Sequence, residues 1–117
     1  MEKPIEACKV DDALEIIVGK WKPKILLLLL EHGTMRFNEL RRHLPGITQK
    51  MLTQQLRDLE GEYIVHREVY AQVPPKVEYS ITEYGRSLDP ILDTIHQWGS
   101  AHLLFKAKQI AQKVAAE

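Results

Sequence analysis

At 117 residues, 44% hydrophobic and 27% charged, the chain has the size and composition of one soluble globular domain. Lys plus Arg and Asp plus Glu each total 16, so the net charge is zero, and bulk charge alone gives no reason to expect a polyanionic partner. A single cysteine, Cys8, excludes an internal disulfide and a Cys-based zinc site. The longest apolar run, residues 25–30, is far short of the roughly 18–20 residues of a membrane span, and residues 1–9 lack the apolar run of a signal peptide. The expectation is a cytoplasmic protein with no membrane contact.

In chain order, residues 11–18 read as a short helix with Leu14, Ile17 and Val18 on one face and an acidic start suited to a helix N-terminus. Gly19 ends it. Trp21, Lys22 and Pro23 open a second helix, with Pro23 near the first turn, where proline is tolerated. Residues 25–31 are apolar nearly all round, the pattern of a helix buried at a domain centre, and Gly33 closes it. Residues 36–44 form a third short helix with Phe37, Leu40 and Leu44 inward, broken by Pro45 and Gly46. After that short turn Thr48 is a natural N-cap for a fourth helix, 48–60.

Two strands follow, 64–70 and 77–82, the second alternating cleanly with Val77, Tyr79 and Ile81 on one side. Pro74 and Pro75 open the hairpin between them into a longer loop, because neither donates a ladder hydrogen bond. Thr82 caps a further helix with Leu88, Ile91, Leu92, Ile95 and Trp98 as its apolar stripe, and Pro90 kinks it or marks its first turns. Residues 102–116 form a final, weakly amphipathic helix. This order predicts a mainly α fold with a small β-hairpin (α+β): a winged helix-turn-helix in a single domain, 1–117, of which 99–117 is a C-terminal helical extension.

The fourth helix carries the functional question. Successive residues turn by about 100° round a helix, which sets Met51, Leu52, Leu56 and Leu59 together on a compact buried side. Thr53, Arg57, Lys50 and Gln54 fall on the opposite side, with Gln49 on the border of the two faces. Gln55 falls inside the apolar arc, either as a hydrogen-bonded buried amide or because the helix is partly open there. The outward face has no acid among its central members. Its amides, hydroxyl, ammonium and guanidinium are the groups that read base edges in a major groove. Gln49, Lys50, Thr53 and Gln54 are therefore expected at base edges, with Arg57 nearer the backbone.

Charge is uneven in a way that supports this. Residues 20–67 hold nine basic against five acidic residues, a net +4, whereas the first 19 carry −3. Arg36 at the start of the third helix, Arg67 on the strand and Lys76 at the wing are the candidate phosphate contacts. Each taken singly also fits an ordinary surface cation.

The segments "GKW" (19–21), "RFNELRR" (36–42), "LPGITQKMLTQQLRDLE" (44–60) and "VYAQVPPKVEYSITEYGRSL" (69–88) closely resemble the HxlR family of bacterial winged-helix transcription regulators, over about residues 8–98. The resemblance implies a homodimeric regulator of double-stranded DNA, paired through its N- and C-terminal helices; two-fold pairing then calls for a pseudo-palindromic operator, and repression is the expected mode of action. On this chain those dimer positions are Leu14, Val18, Trp21, Leu88, Leu92, Ile95 and Trp98. More apolar surface lies on them than one small domain covers internally. The helix after "LPGI" is implied to enter the major groove, and Lys76 to lie on the wing.

Cys8 falls where many family members carry a cysteine, which in some senses electrophiles or oxidants. Lys9 stands here in place of the usual proline and favours a thiolate. With one thiol per chain, the chemistry is an intersubunit bond, a bond to a small thiol or an adduct; the bland reading is a small side chain packed at the dimer interface. A second departure is Gly61-Glu62-Tyr63, which sets the usual glycine before the strand two positions early. Either the helix ends sooner or Glu62 or Tyr63 takes a strained backbone.

Two other function classes are weaker. For an enzyme there is no phosphate loop, HExxH or GxSxG, and the five histidines, including His66 and His96, show no ligand or triad spacing. No catalytic residue, metal ligand or cofactor is expected. A winged helix that binds protein instead of DNA calls for an acidic or apolar face over 49–57, which is absent. A module governed by a small-molecule effector with no thiol switch stays open; nothing in the residues identifies such an effector.

Overall fold

The computed structural model describes residues 8–116. The chain divides into two compact units, one ending at Arg86 and one beginning at Ser87.

In the first unit, helix α1 spans Val10–Ile17 and α2 spans Lys22–His32. Pro23 is in the first turn of α2, and Gly33 caps its end at φ 81°, a conformation that disfavours a side chain. The expected all-round burial of α2 is not what forms. Ile25, Leu26 and Leu29 are buried to 1% exposure or less, while Leu27 is 47% exposed. Only the face turned to the sheet and the neighbouring helices is covered, because α2 lies at one side of the small core. Trp21, just before α2, is buried at 7%; its ring lies under the turn at Gly46, where an added Cβ would sit 4.0 Å from it. Lys20 and Lys24 bring their ammonium groups to 4.8 and 5.4 Å from the ring centroid.

A two-residue strand, β1 (Met35–Arg36), precedes α3 (Phe37–Arg42). Sequence reading placed Arg36 in the helix. It is instead the extended N-cap, and its N–H donates to Glu39 Oε1 at 3.0 Å. Helix α4 runs Gln49–Gly61, opened by Thr48 Oγ1 accepting from Met51 N–H at 3.1 Å, as the N-cap reading expects. Leu52, Leu56 and Leu59 are its buried residues. Met51 is 38% exposed and leaves the apolar arc, since it lies about 80° or more round the helix from all three leucines. Gln55 is half-buried.

Strands β2 (Val65–Tyr70) and β3 (Lys76–Ile81) pair antiparallel from Val65–Ile81 to Tyr70–Lys76. Met35 and Arg36 pair on the other edge of β3 with Tyr79 and Glu78, giving sheet order β1-β3-β2. Inward alternation on β3 buries Tyr79 and Ile81. Helix α2 packs on β3 and α4 on β2, so α4 is anchored by the hairpin beside it.

The path from α4 into β2 resolves the displaced glycine. Ile64 N–H donates to Leu59 O at 3.1 Å and Tyr63 N–H to Glu60 O at 3.0 Å, the pair of bonds of a Schellman ending. Its left-handed position falls on Tyr63, at φ 64°, while Gly61 remains helical.

In the second unit, the 3-10 turn that began at Tyr84 ends at Leu88 and leads into α5, Asp89–Ala116. Residues 102–116, expected as a separate helix, continue α5 without a break. Pro90 lies in the first turn, so no interior hydrogen bond is lost and the helix is not interrupted. Trp98 and His102, one turn apart, stack at 5.0 Å.

Candidate nucleic-acid interface

The amphipathic arc of α4 determines which side chains it presents. With Leu52, Leu56 and Leu59 buried, Gln49, Lys50, Gln54 and Arg57 are exposed and Thr53 is half-buried. All five line one shallow depression on the surface. The face expected from sequence is therefore a single continuous surface, and it starts at the N-terminal end of the helix.

Their local bonds differ. Thr53 Oγ1 donates to Gln49 O at 2.8 Å, so its hydroxyl proton is taken by its own helix, leaving an acceptor and a methyl group. Gln54 Nε2 donates to Asp58 Oδ1 at 2.9 Å. Among the described residues, Lys50 and Arg57 have no ion pair.

The flanking cations fall into two places. Arg67, on β2, shares a second depression with Thr53, Arg57 and Glu60, which brings it beside α4 instead of the wing tip. Arg36 and Lys76 meet across a larger cleft of about 660 Å³ between the start of α3 and the wing loop. Arg42 also lines that cleft. Sequence reading passed over it, although its place on the side of α3 away from the buried Leu40 was a usable signal. Lys76 is not a free cation: its ammonium is 2.7 Å from Glu78 Oε1 and 4.7 Å from the Tyr70 ring centroid. Lys76 and Glu78 alternate onto one face of β3, which sets them side by side.

Of the expected dimer positions, Leu14 (42% exposed), Val18 (56%), Ile95 (53%) and Trp98 (67%) present apolar surface. Leu88 is half-buried, and Trp21 and Leu92 are already covered within the chain. Further along α5, Leu103, Leu104, Phe105, Ile110 and Val114 are exposed as well. Cys8 is half-buried just ahead of α1, and Lys9 beside it is 3.9 Å from Asp12, with both of those side chains largely exposed. Among the described residues no group of three or more His, Cys, Asp or Glu is placed to hold a metal ion, and no helix is long and apolar enough to cross a membrane. His66 Nε2 is 2.7 Å from Glu68 Oε2 on the exposed face of β2.

Known proteins share this fold and much of this sequence. The family model described as HxlR-like helix-turn-helix matches residues 16–106. The HTH-type transcriptional regulator YybR of Bacillus subtilis (strain 168) is 57% identical over 97 residues, covering 83% of this chain and 77% of YybR. The redox regulator HypR, solved in its reduced form, superposes with a TM-score of 0.76 at 54% identity, covering 80% of this chain and 92% of that one. Its oxidised form gives 0.74 at 55%, with 80% and 96% covered. The three-stranded sheet, the helix pair around the Gly46 turn and these matches converge on one conclusion: the chain belongs to the HxlR-like helix-turn-helix family of transcriptional regulators, with a winged-helix fold.

Proposed function

We propose that the chain is a sequence-specific DNA-binding regulator that represses transcription as a cytoplasmic homodimer on a pseudo-palindromic operator. The observation that carries this reading is the outward face of α4. Gln49, Lys50, Thr53, Gln54 and Arg57 form one surface, rich in base-reading groups, at the end of the helix that enters a groove first. Arg36, Arg67 and Arg42 flank it as phosphate contacts, and Lys76 is a weaker one because Glu78 neutralises it. The exposed apolar residues of α1 and α5 suit pairing with a second copy, since a surface helix this rich in exposed apolar side chains calls for cover. Two-fold pairing sets the recognition helices about 34 Å apart, one turn of DNA.

Cys8 supplies the signal input in this reading, supported by the similarity to a redox regulator solved in two oxidation states. Two Cys8 thiols from paired subunits lose two electrons and two protons to form one disulfide. An azo oxidant such as diamide takes up both and becomes the hydrazine.

The test is a gel shift with the palindromic duplex from the intergenic region beside the gene, against a random duplex of equal length. Gln54→Ala is expected to weaken operator binding far more than random binding. Equal losses on both duplexes count against base reading by α4.

A further inference from the structure

Beside Gln54 an acid borders the reading face of α4, and both of its oxygens are engaged. Asp58 Oδ1 accepts from Gln54 Nε2 at 2.9 Å, and Oδ2 lies 3.4 Å from Lys22 Nζ. A Gln–Asp bond one turn apart is by itself a small helix-stabilising contact. The lysine makes it more than that. Lys22 belongs to α2, and its side chain is only 16% exposed, so it ties the carboxylate to a different helix of the domain. Of the candidate base readers, Gln54 has its side-chain orientation set by a partner that is itself anchored. An ionised carboxylate only accepts hydrogen bonds, so the group facing Asp58 is the amide NH₂, and the direction of the Gln54 amide follows from chemistry.

We propose that Asp58, anchored by Lys22, is a positioning residue that sets Gln54 to read adenine and to reject guanine. The proposal rests on the reading of Gln54 as a base-contacting residue. An unrestrained glutamine amide has two N–H donors and one carbonyl acceptor. Adenine presents an acceptor, N7, beside a donor, the N6 amino group; guanine presents two acceptors, N7 and O6. With one N–H held by Asp58, Gln54 retains one donor and one acceptor, which complements adenine. Guanine needs donors at both positions, and the second is committed. Lys22 has a further effect: it neutralises the carboxylate, which otherwise faces DNA phosphate as a bare negative charge.

The test uses the full-length dimer and a set of operators in which each A·T pair is replaced in turn by G·C, with affinities read by fluorescence anisotropy at one salt concentration. Wild type is expected to show a position in each half-site where the replacement weakens binding by about tenfold. Gln54→Ala removes that penalty. Asp58→Ala reduces it to about threefold or less at the same position, with other positions unchanged. Lys22→Met, which keeps the side-chain stem, moves the same position in the same direction and also weakens all operators alike. A merely structural Asp58 changes every operator in parallel and leaves the profile intact. That outcome in Asp58→Ala, with the penalty lost in Gln54→Ala, overturns the proposal and leaves base reading standing. A wild-type profile in Gln54→Ala overturns base reading itself and the proposal with it. If Asp58→Ala does not fold, the Lys22→Met profile decides between the same outcomes.

Discussion

Thr82 and Tyr63 hold the exit of α4 together. Thr82 Oγ1 donates to Tyr63 O at 2.7 Å and accepts from Gly85 N–H at 2.8 Å, while Thr82 N–H donates to Ile64 O at 2.9 Å. One residue at the end of β3 thus pins the turn that leaves α4 and starts the 3-10 turn that follows. Thr82 thus ties together the end of β3, the turn out of α4 and the start of the 3-10 turn.

Tyr63 occupies the left-handed position of that turn at φ 64° with its side chain 78% exposed, so it carries backbone strain without compensating burial. Tyr63→Gly is expected to stabilise the fold by about 0.5–1 kcal/mol, relief of the left-handed penalty offset in part by the freedom glycine adds to the unfolded chain. The check is the urea midpoint at constant m-value. A lower midpoint rejects this account.

Gly85 is the reverse case. A Cβ there would meet Ile64 O at 2.5 Å and Ile81 Cγ2 at 3.0 Å, both in the packed joint. Gly85→Ala is expected to cost about 1–3 kcal/mol, the range for overpacking a tight site. Thermal unfolding by circular dichroism measures it, and an unchanged midpoint shows that the joint yields more easily than its contacts suggest.

Arg36 and Lys76 face the same cleft but differ in pairing, because only Lys76 has a carboxylate at 2.7 Å. Arg36→Ala is expected to reduce the slope of log affinity against log salt by about one unit. Lys76→Ala should change it by clearly less, since its charge is already balanced by Glu78. Measuring both slopes on one operator decides the matter; equal reductions mean that DNA displaces the Glu78 contact.

Cys8 is the only thiol in the chain. Cys8→Ser is expected to abolish any loss of operator affinity caused by diamide, and to prevent a dimer linked by disulfide on non-reducing gels. Wild type that binds equally well before and after diamide makes Cys8 a packing residue.

Much of this molecule was legible locally. Thr48 as a cap, Pro23 in a first turn, Gly33 at a helix end, the leucine arc of α4 and the alternation of β3 are signals spanning a few residues. Steric and hydrogen-bonding rules fix what such short patterns can do. The five-residue face of α4 followed from the same periodicity.

Pairings between distant segments were not legible. The two-residue strand Met35–Arg36 exists only because β3 has a free edge beside it, and no two-residue pattern announces a strand. Trp21 reads as interface from its apolar neighbours, yet it packs under the Gly46 turn. Lys76 reads as a free wing cation until the register of β3 places Glu78 on the same face. Lys22 and Asp58 meet only when α2 and α4 come together. The sequence by itself determined most of the elements and the chemistry on their faces, because those depend on neighbours within one or two turns. Only the tertiary structure decided which charges are paired, which aromatic is covered and where strain is held, because those depend on which distant residues share a surface.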